Sequence, residues 1–360
     1  HQGGAAADVI NGDLPGPGNL DGNTIPVQLL QEYPTSFGLL SDEGRAMLQI
    51  VHDIAPGAEL AFYSGFLNAP DFANGIIALK DAGSDVIVDD ITYITEPFFK
   101  DGIVAQAVDL VKAQKGVTYF SAAGNYSDKS YQSTFNPLPA PGDIIGDAHN
   151  FGGGDIYQNI SLEEGTYTIV LQWEDNTDPN QFITNNDLDI YLSNDNGTTL
   201  FGFNIENTGG LPIEVLPFTV GAGGSSTNIL ITRASGTDNV NFKYVVFRGD
   251  ITINQYNTGS STIVGQANAE GAIAVGAVLW SNTPEFGVNP PTIASFSSIG
   301  GTSVNGTLRQ KPEITAPNGV ETTVNLSPDT PEFDTDGDGI RNFHGTSAAA
   351  PHAAAVAALL

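Results

Sequence analysis

The chain has 360 residues, 41 of them acidic and 12 basic, for a formal net charge of −29, and it contains no cysteine. A chain of this length outgrows a single core, so one large domain plus a second is expected. The charge excludes a nucleic-acid partner, which needs a basic footprint, and the missing cysteine excludes disulfides, thiolate metal sites and a cysteine nucleophile. The acidic surplus suits a soluble protein in salty or calcium-containing surroundings. No apolar run is long enough to span a bilayer. The first residue is a histidine and the last eight, AAAVAALL, stop inside an apolar helical pattern. Both ends therefore read as cuts from a longer protein.

From residue 41 the pattern alternates. DEGRAMLQIVHDIAP is helical until Pro56, AELAFYS is a strand, and PDFANGIIALKDAG is a helix closed at Gly83. SDVIVDDI is a continuous apolar strand ending in two acids. KDGIVAQAVDLVKAQKG is a helix closed by Gly116, and VTYFSAAGN is another strand. Such alternation, with strands apolar throughout, predicts a parallel sheet covered by helices on both faces. The texture then changes. From about 147 to 253 short alternating runs (YTIVLQW, LDIYLS, TNILITR, FKYVVFRG) are separated by Asn, Asp and Gly clusters. That is the pattern of an antiparallel β-sandwich. GAIAVGAV then returns to a buried strand, and KPEITAPNG leads to a last helix. The sandwich is thus expected to be inserted into an α/β domain made of residues 1–126 and 260–360. No short-period repeat is present.

FHGTSAAAPH, Phe343 to His352, holds a Gly-Thr-Ser tripeptide followed by small residues and Pro351. This is a way of presenting a serine nucleophile, and such a serine needs a base. Four segments stand in order: DEGRAML, SDVIVDDI, SAAGN and GTSAAAPH. Together they resemble the subtilisin–sedolisin clan of serine peptidases. The resemblance covers roughly 41–125 and 260–360, including FSSIG and KPEITAPNG. It implies that Ser347 is the nucleophile at a helix start, where unpaired N–H groups favour negative charge. It implies further that Asn125 donates to the oxyanion together with the Ser347 N–H. In subtilisins the matching first helix begins His-Gly-Thr and the histidine is the base. Here Glu43 precedes Gly44, and sedolisins place a glutamate at that point. A carboxylate serves as base when burial or a second acid raises its pKa.

Sedolisins carry an aspartate four residues further along this helix, where Met47 stands here. Two sources of a partner acid remain. One is Asp89-Asp90, of which only one can face Glu43; alignment with the family strand favours Asp90. The other is the aspartate ending the first strand of subtilisins, expected upstream of His1. His52, His344 and His352 read as structural, with His344 the next choice of base. DTDGDG sets Asp334, Asp336 and Asp338 in the spacing of a calcium loop, although the twelfth position is Gly345 rather than the bidentate glutamate. The sandwich resembles the jelly-roll-like domains attached to many secreted bacterial peptidases. Its Asp187, Asp189 and Asp195 either bind calcium or sit in turns. The expectation is a secreted or cell-surface serine endopeptidase, monomeric, acting on proteins or peptides. The alternative is an inactive relative that serves as a binding or surface module.

Overall fold

The computed structural model describes residues 3–38, 41–174, 178, 180–194, 200–326 and 333–360. The first part runs α1 (Ala5–Asn11), β1 (Gln28–Gln31), α2 (Glu43–Ile54), β2 (Ala61–Tyr63), α3 (Ala69–Asp81), β3 (Val86–Asp89), α4 (Ile103–Lys115) and β4 (Thr118–Ala122). Local chemistry sets several ends. Asn68 caps α3 by accepting from the Asp71 N–H at 2.9 Å, an interaction worth about 1 kcal/mol. Gly116 ends α4 in the left-handed region that glycine enters without penalty.

Eleven strands follow: β5 (Ser130–Thr134), β6 (Pro137–Pro139), β7 (Asp147–His149), β8 (Gln158–Leu162), β9 (Gly165–Glu174), β10 (Asp187–Ser193), β11 (Leu200–Phe203), β12 (Ile213–Val220), β13 (Ser225–Ser235), β14 (Asn241–Arg248) and β15 (Ile251–Ile253). The chain then returns through β16 (Ala272–Leu279), a small hairpin of β17 (Ser303–Val304) and β18 (Thr307–Leu308), β19 (Ile314–Asn318) and α5 (Thr346–Ala358).

The second part completes the sheet begun by the first. Strands β3, β4, β16 and β19 form one four-stranded sheet in spatial order β19-β16-β4-β3, all parallel. One face buries Ile87 and Tyr119 against Val104, Val108 and Ile76 of α4 and α3. The other buries Phe120, Val275 and Ala277 against Ala349, Ala350 and Ala354 of α5. The architecture is therefore α/β, a parallel sheet with helices on both faces, plus an antiparallel sandwich. β1 and β2 form a separate parallel pair. Between β2 and β3 lies a cavity of about 1020 Å³, walled by Met47 and Val51 of α2 and by Phe72 and Ile76 of α3, with Glu43, Asp89 and Asp90 also on its lining.

The sandwich consists of a four-stranded sheet, β12-β9-β14-β5, and a seven-stranded one built around β10 and β13. Trp173, Tyr167, Ile190, Ile229 and Phe242 lie in the core between them. It begins earlier than the expected residue 147. Ser130–Thr134 pairs with β14 from Val245 back to Asn241, and Pro137–Pro139 pairs with β7. SYQST lacks apolar alternation, so its pairing comes from the neighbouring strand rather than from its own pattern. The outer face of the smaller sheet docks on the α/β domain through Val170 and Val245 against Phe98, Phe99 and Val264. Gln172 fastens the contact: its side chain accepts from the Phe98 N–H and donates to the Glu96 carbonyl, both at 2.9 Å.

Candidate active site

Ser347 is the second residue of α5 and is 9% exposed. The turn before it is tied to two other segments. The Thr346 N–H and hydroxyl both donate to Asn125 Oδ1, at 3.0 and 3.1 Å. The Thr346 hydroxyl in turn accepts from the Gly124 N–H at 3.1 Å. Gly345 N–H donates to Asn318 Oδ1, at the end of β19, at 3.4 Å. The FSSIG stretch holds the other side of the Asn125 turn: Tyr126 N–H donates to Ser298 Oγ at 3.1 Å, and Ser298 N–H donates to the Gly124 carbonyl at 2.9 Å.

With Asn125 Oδ1 committed to Thr346, its amide nitrogen faces Gly345. A Cβ on Gly345 would lie 3.2 Å from Asn125 Nδ2 and 3.6 Å from the Ser347 nitrogen. Two N–H donors therefore border one small space, which exists because residue 345 has no side chain. The φ of 115° at Gly345 also belongs to the region glycine favours. The Ser347 N–H is one of the donors that a helix start leaves without an intrahelical partner.

Glu43 is the first residue of α2. That helix lies along α5: Ala46, Met47 and Ile50 share an apolar cluster with Ala348, Val324 and Phe343. Met47, at the position where sedolisins carry an acid, is 7% exposed and serves this packing. Alternation along β3 separates the two aspartates. Asp89 falls on the face of Ile87, where its Oδ1 accepts from Ser121 Oγ, Gln266 Nε2 and the Ile91 N–H, each at 3.1 Å. Burial pushes its carboxyl up to about 6 against the pull of those donors. Asp90 turns the other way and shares a hydrogen bond with Glu43. Its pKa is raised well above its ordinary value, first by burial, then by the charges of Glu43 and Asp89 and by that hydrogen bond. A hydrogen bond between two carboxyls requires a proton on one of them.

The structure thus brings Glu43 to Asp90 and Asn125 to the Ser347 turn. Among the described residues the Ser347 hydroxyl has no hydrogen-bond partner. Among the described residues no hydrogen bond joins His52, His344 or His352 to the Ser347 hydroxyl or to Glu43. His52 is buried with Nδ1 unpartnered, and His344 stands edge-on to Phe333 with Nε2 buried and unpartnered. His352 Nδ1 donates to the Ala348 carbonyl at 2.7 Å. Burial lowers the pKa of all three.

The acidic loop differs from its sequence reading. Asp334 uses both carboxyl oxygens on its own loop, accepting from the N–H groups of Gly337, Asp338 and Gly339 at 2.8, 3.1 and 3.0 Å. Glu321 takes its place beside Asp336 and Asp338, and a ligand oxygen from each of these three lies within 4.8 Å of the others. All three are exposed. Glu321 follows the KPEITAPNG stretch and had no spacing signal of its own. Thr346 and Asn318, which position the serine turn, stand inside recognised motifs and were readable only as part of them. Asp187 and Asp189 are buried at the start of β10, while Asp195 lies outside the described residues.

Comparison with known proteins bears on this arrangement. Residues 212–360 match the model of the Subtilase family, peptidase S8. That stretch, which holds the Ser347 turn, is similar to part of a subtilase-type serine-peptidase domain. The solved structure of the Clostridium perfringens CspB protease matches with a TM-score of 0.53 and 14% identity, over 92% of this chain and 72% of that one. At that identity the likeness concerns the fold, which is subtilisin-like. A carbohydrate-binding module from Cellvibrio mixtus lichenase 5A matches 36% of this chain and 93% of its own length at 17% identity, with a TM-score of 0.20, too low to bear on the sandwich. No curated protein matches the chain. Among the described residues no helix is long and apolar enough to cross a membrane.

Proposed function

We propose that the peptidase domain is a secreted or cell-surface endopeptidase that forms an acyl-enzyme on Ser347. Glu43 is the general base, and Asp90 is the neighbouring acid that holds the shared proton. The carboxyl contact between Glu43 and Asp90 carries this reading. Two carboxyls in contact do not both ionise cheaply, so the pair keeps one proton over an acidic range. In that state one oxygen remains basic and takes the serine proton as Oγ attacks the scissile carbonyl. The same proton then passes to the leaving amine, and water repeats the cycle on the ester. The Asn125 amide and the Ser347 N–H receive the developing oxyanion in the space beside Gly345. Asp336, Asp338 and Glu321 would hold a structural calcium ion, with Asp334 shaping their loop; exposed carboxylates are hard oxygen donors suited to that ion.

The test is a fluorophosphonate label together with hydrolysis of a soluble protein substrate at pH values on both sides of neutrality. Rapid labelling that Ser347→Ala abolishes, with Glu43→Gln labelling slowly and hydrolysing almost nothing, supports the reading. An unlabelled wild-type chain with an intact fold would leave the inactive binding module in its place. Full activity in Glu43→Gln would move the base elsewhere, with His344 first in line.

A further inference from the structure

The sandwich enters the chain directly behind the candidate oxyanion donor. Only Tyr126–Lys129 separate Asn125 from the first sandwich strand, Ser130–Thr134. This link is held from both domains. Ser127 has a φ of 50°, a left-handed conformation that a residue with a side chain seldom adopts. The α/β domain fixes it there: its N–H donates to the Phe296 carbonyl at 2.9 Å, and its carbonyl accepts from the Thr262 hydroxyl at 2.5 Å. Lys129 is fixed by the sandwich side. Its carbonyl accepts from the Val246 N–H of β14 at 2.9 Å, and its ammonium group donates to Asp250 Oδ1 at 2.8 Å.

Tyr126 lies between these anchors, and its ring closes over the backbone of Gly124. A Cβ on Gly124 would stand 2.5 Å from Tyr126 Cε2. The same ring meets Phe247 of β14 edge-on, with centroids 4.9 Å apart and planes at 78°. Phe247 rests in turn on the buried ring of Phe98, at 6.0 Å. Phe247 also holds a special place in its strand. Val246 faces Ile169 and Arg248 faces Thr168, so β9 offers Phe247 no partner. This is a β-bulge, a feature that bends its strand and re-aims a side chain. Regular pairing would have matched Phe247 with Thr168; the extra residue instead meets Tyr126. Asn125, between Gly124 and Tyr126, depends on this geometry. Its Oδ1 must reach Thr346 while its nitrogen faces the space beside Gly345. Misplacing a catalytic group by about 1 Å can cost about 10²-fold in rate.

We propose that the sandwich positions the oxyanion donor: Phe247, on the β14 bulge, holds Tyr126 against Gly124 and so fixes the Asn125 turn. Phe247 and Tyr126 are positioning residues that act through Asn125. The inference rests on the Asn125 assignment above and extends it to the sandwich. The experiment measures kcat and KM of the full chain on a soluble protein substrate, and hydrogen exchange over residues 119–131. Phe247→Ala should lower kcat by about 10–10²-fold, leave KM nearly unchanged and speed exchange in that segment. Phe247→Leu keeps most of the volume without the ring; it should fall between the two and serves where the alanine variant does not fold. Val215→Ala trims the same docking face two strands from Phe247. It should lower stability while kcat and the exchange of residues 119–131 stay as they are. In an Asn125→Ala background Phe247→Ala should cost little further rate, because the group it positions is gone. Equal losses in both backgrounds, or a full kcat in Phe247→Ala, would overturn the proposal. Unchanged exchange in Phe247→Ala overturns it even in a chain that hydrolyses nothing. The two readings fail apart: Asn125→Ala at the wild-type rate sinks the oxyanion assignment, whereas a crippled Asn125→Ala beside a fully active Phe247→Ala sinks only the role of the sandwich.

Discussion

Replacing Asn125 by alanine removes two different things, and they can be measured apart. The first is the Nδ2 donor beside Gly345, 3.2 Å from where a Cβ would stand. Losing one oxyanion donor typically lowers kcat by about 10²–10³, or roughly 2.7–4 kcal/mol of transition-state stabilisation. The second is the Oδ1 acceptor for the Thr346 N–H and hydroxyl. Leaving that N–H unpaired costs about 1–3 kcal/mol of stability. Asn125→Asp separates the two, because it keeps the acceptor and loses the donor. Its stability should stay near wild type while its rate falls at least as far as that of the alanine variant, since a fixed negative charge would face a developing one. The assay is kcat and KM on a soluble protein substrate, with denaturant unfolding of the same preparations. KM should change little. If Asn125→Ala keeps kcat within about tenfold of wild type, Asn125 is a loop anchor and the oxyanion assignment falls.

Three further changes bear on the same reasoning. Gly345→Ala should abolish turnover with the fold retained, because the added methyl would enter the space between the two donors and strain a φ of 115°; circular dichroism alongside the rate separates this from unfolding. Asp90→Asn should shift the acid limb of the pH–rate profile, since Glu43 would lose its neighbouring acid; an unchanged limb would detach Asp90 from the base. Lys243 is buried without a carboxylate, donating to the Ser261 carbonyl at 3.0 Å and to the Ser261 and Thr302 hydroxyls at 2.5 and 2.6 Å, and burial lowers it to about 7. Its charge is tolerated less in the fold than in the unfolded chain, so stability falls as pH drops from the unfolded value of about 10.5 through 7; Lys243→Met should remove that slope in denaturant titrations at pH 6 and 9.

The helices and central strands were legible because their signals are local. Asn68 and Gly116 mark helix ends by their own chemistry, and VIVD and GAIAVGAV are apolar throughout. The order of the four motifs carried the peptidase resemblance without any knowledge of contacts. The early sandwich strands were not legible: SYQST pairs because β14 lies beside it, and no property of five polar residues announces a partner 107 positions away. Glu321 was missed for the same reason, since it meets Asp336 and Asp338 only after the chain folds back. The choice between Asp89 and Asp90 rested on the family strand; in the structure it follows from a two-residue period and from which helices cover each face.

That period has an energetic consequence that joins the site to the fold. Asp89 and Asp90 sit side by side at the end of one strand and point to opposite faces, yet both are raised, because both leave water. A folded pKa of about 6 against an unfolded 3.8 for Asp89 means that the folded state binds a proton the unfolded chain has lost. The associated stability is present below the unfolded value and disappears as pH rises through 6, by about 3 kcal/mol in all. Asp90 has the same sign. In the mechanism proposed above, the protonated Asp90 carboxyl beside Glu43 is thus held by the same burial that makes this end of the sheet prefer acid. Lys243 pulls the other way at the sandwich contact, where acid is unfavourable. The two ends of the α/β–sandwich assembly should therefore respond oppositely to pH: the Glu43 end tightens as pH falls, while the sandwich contact loosens. Hydrogen exchange followed across pH 4 to 8 should show protection around β3 and α2 growing toward acid while that around β14 declines. Parallel changes in both would mean that one of the two burials is relieved by water in solution.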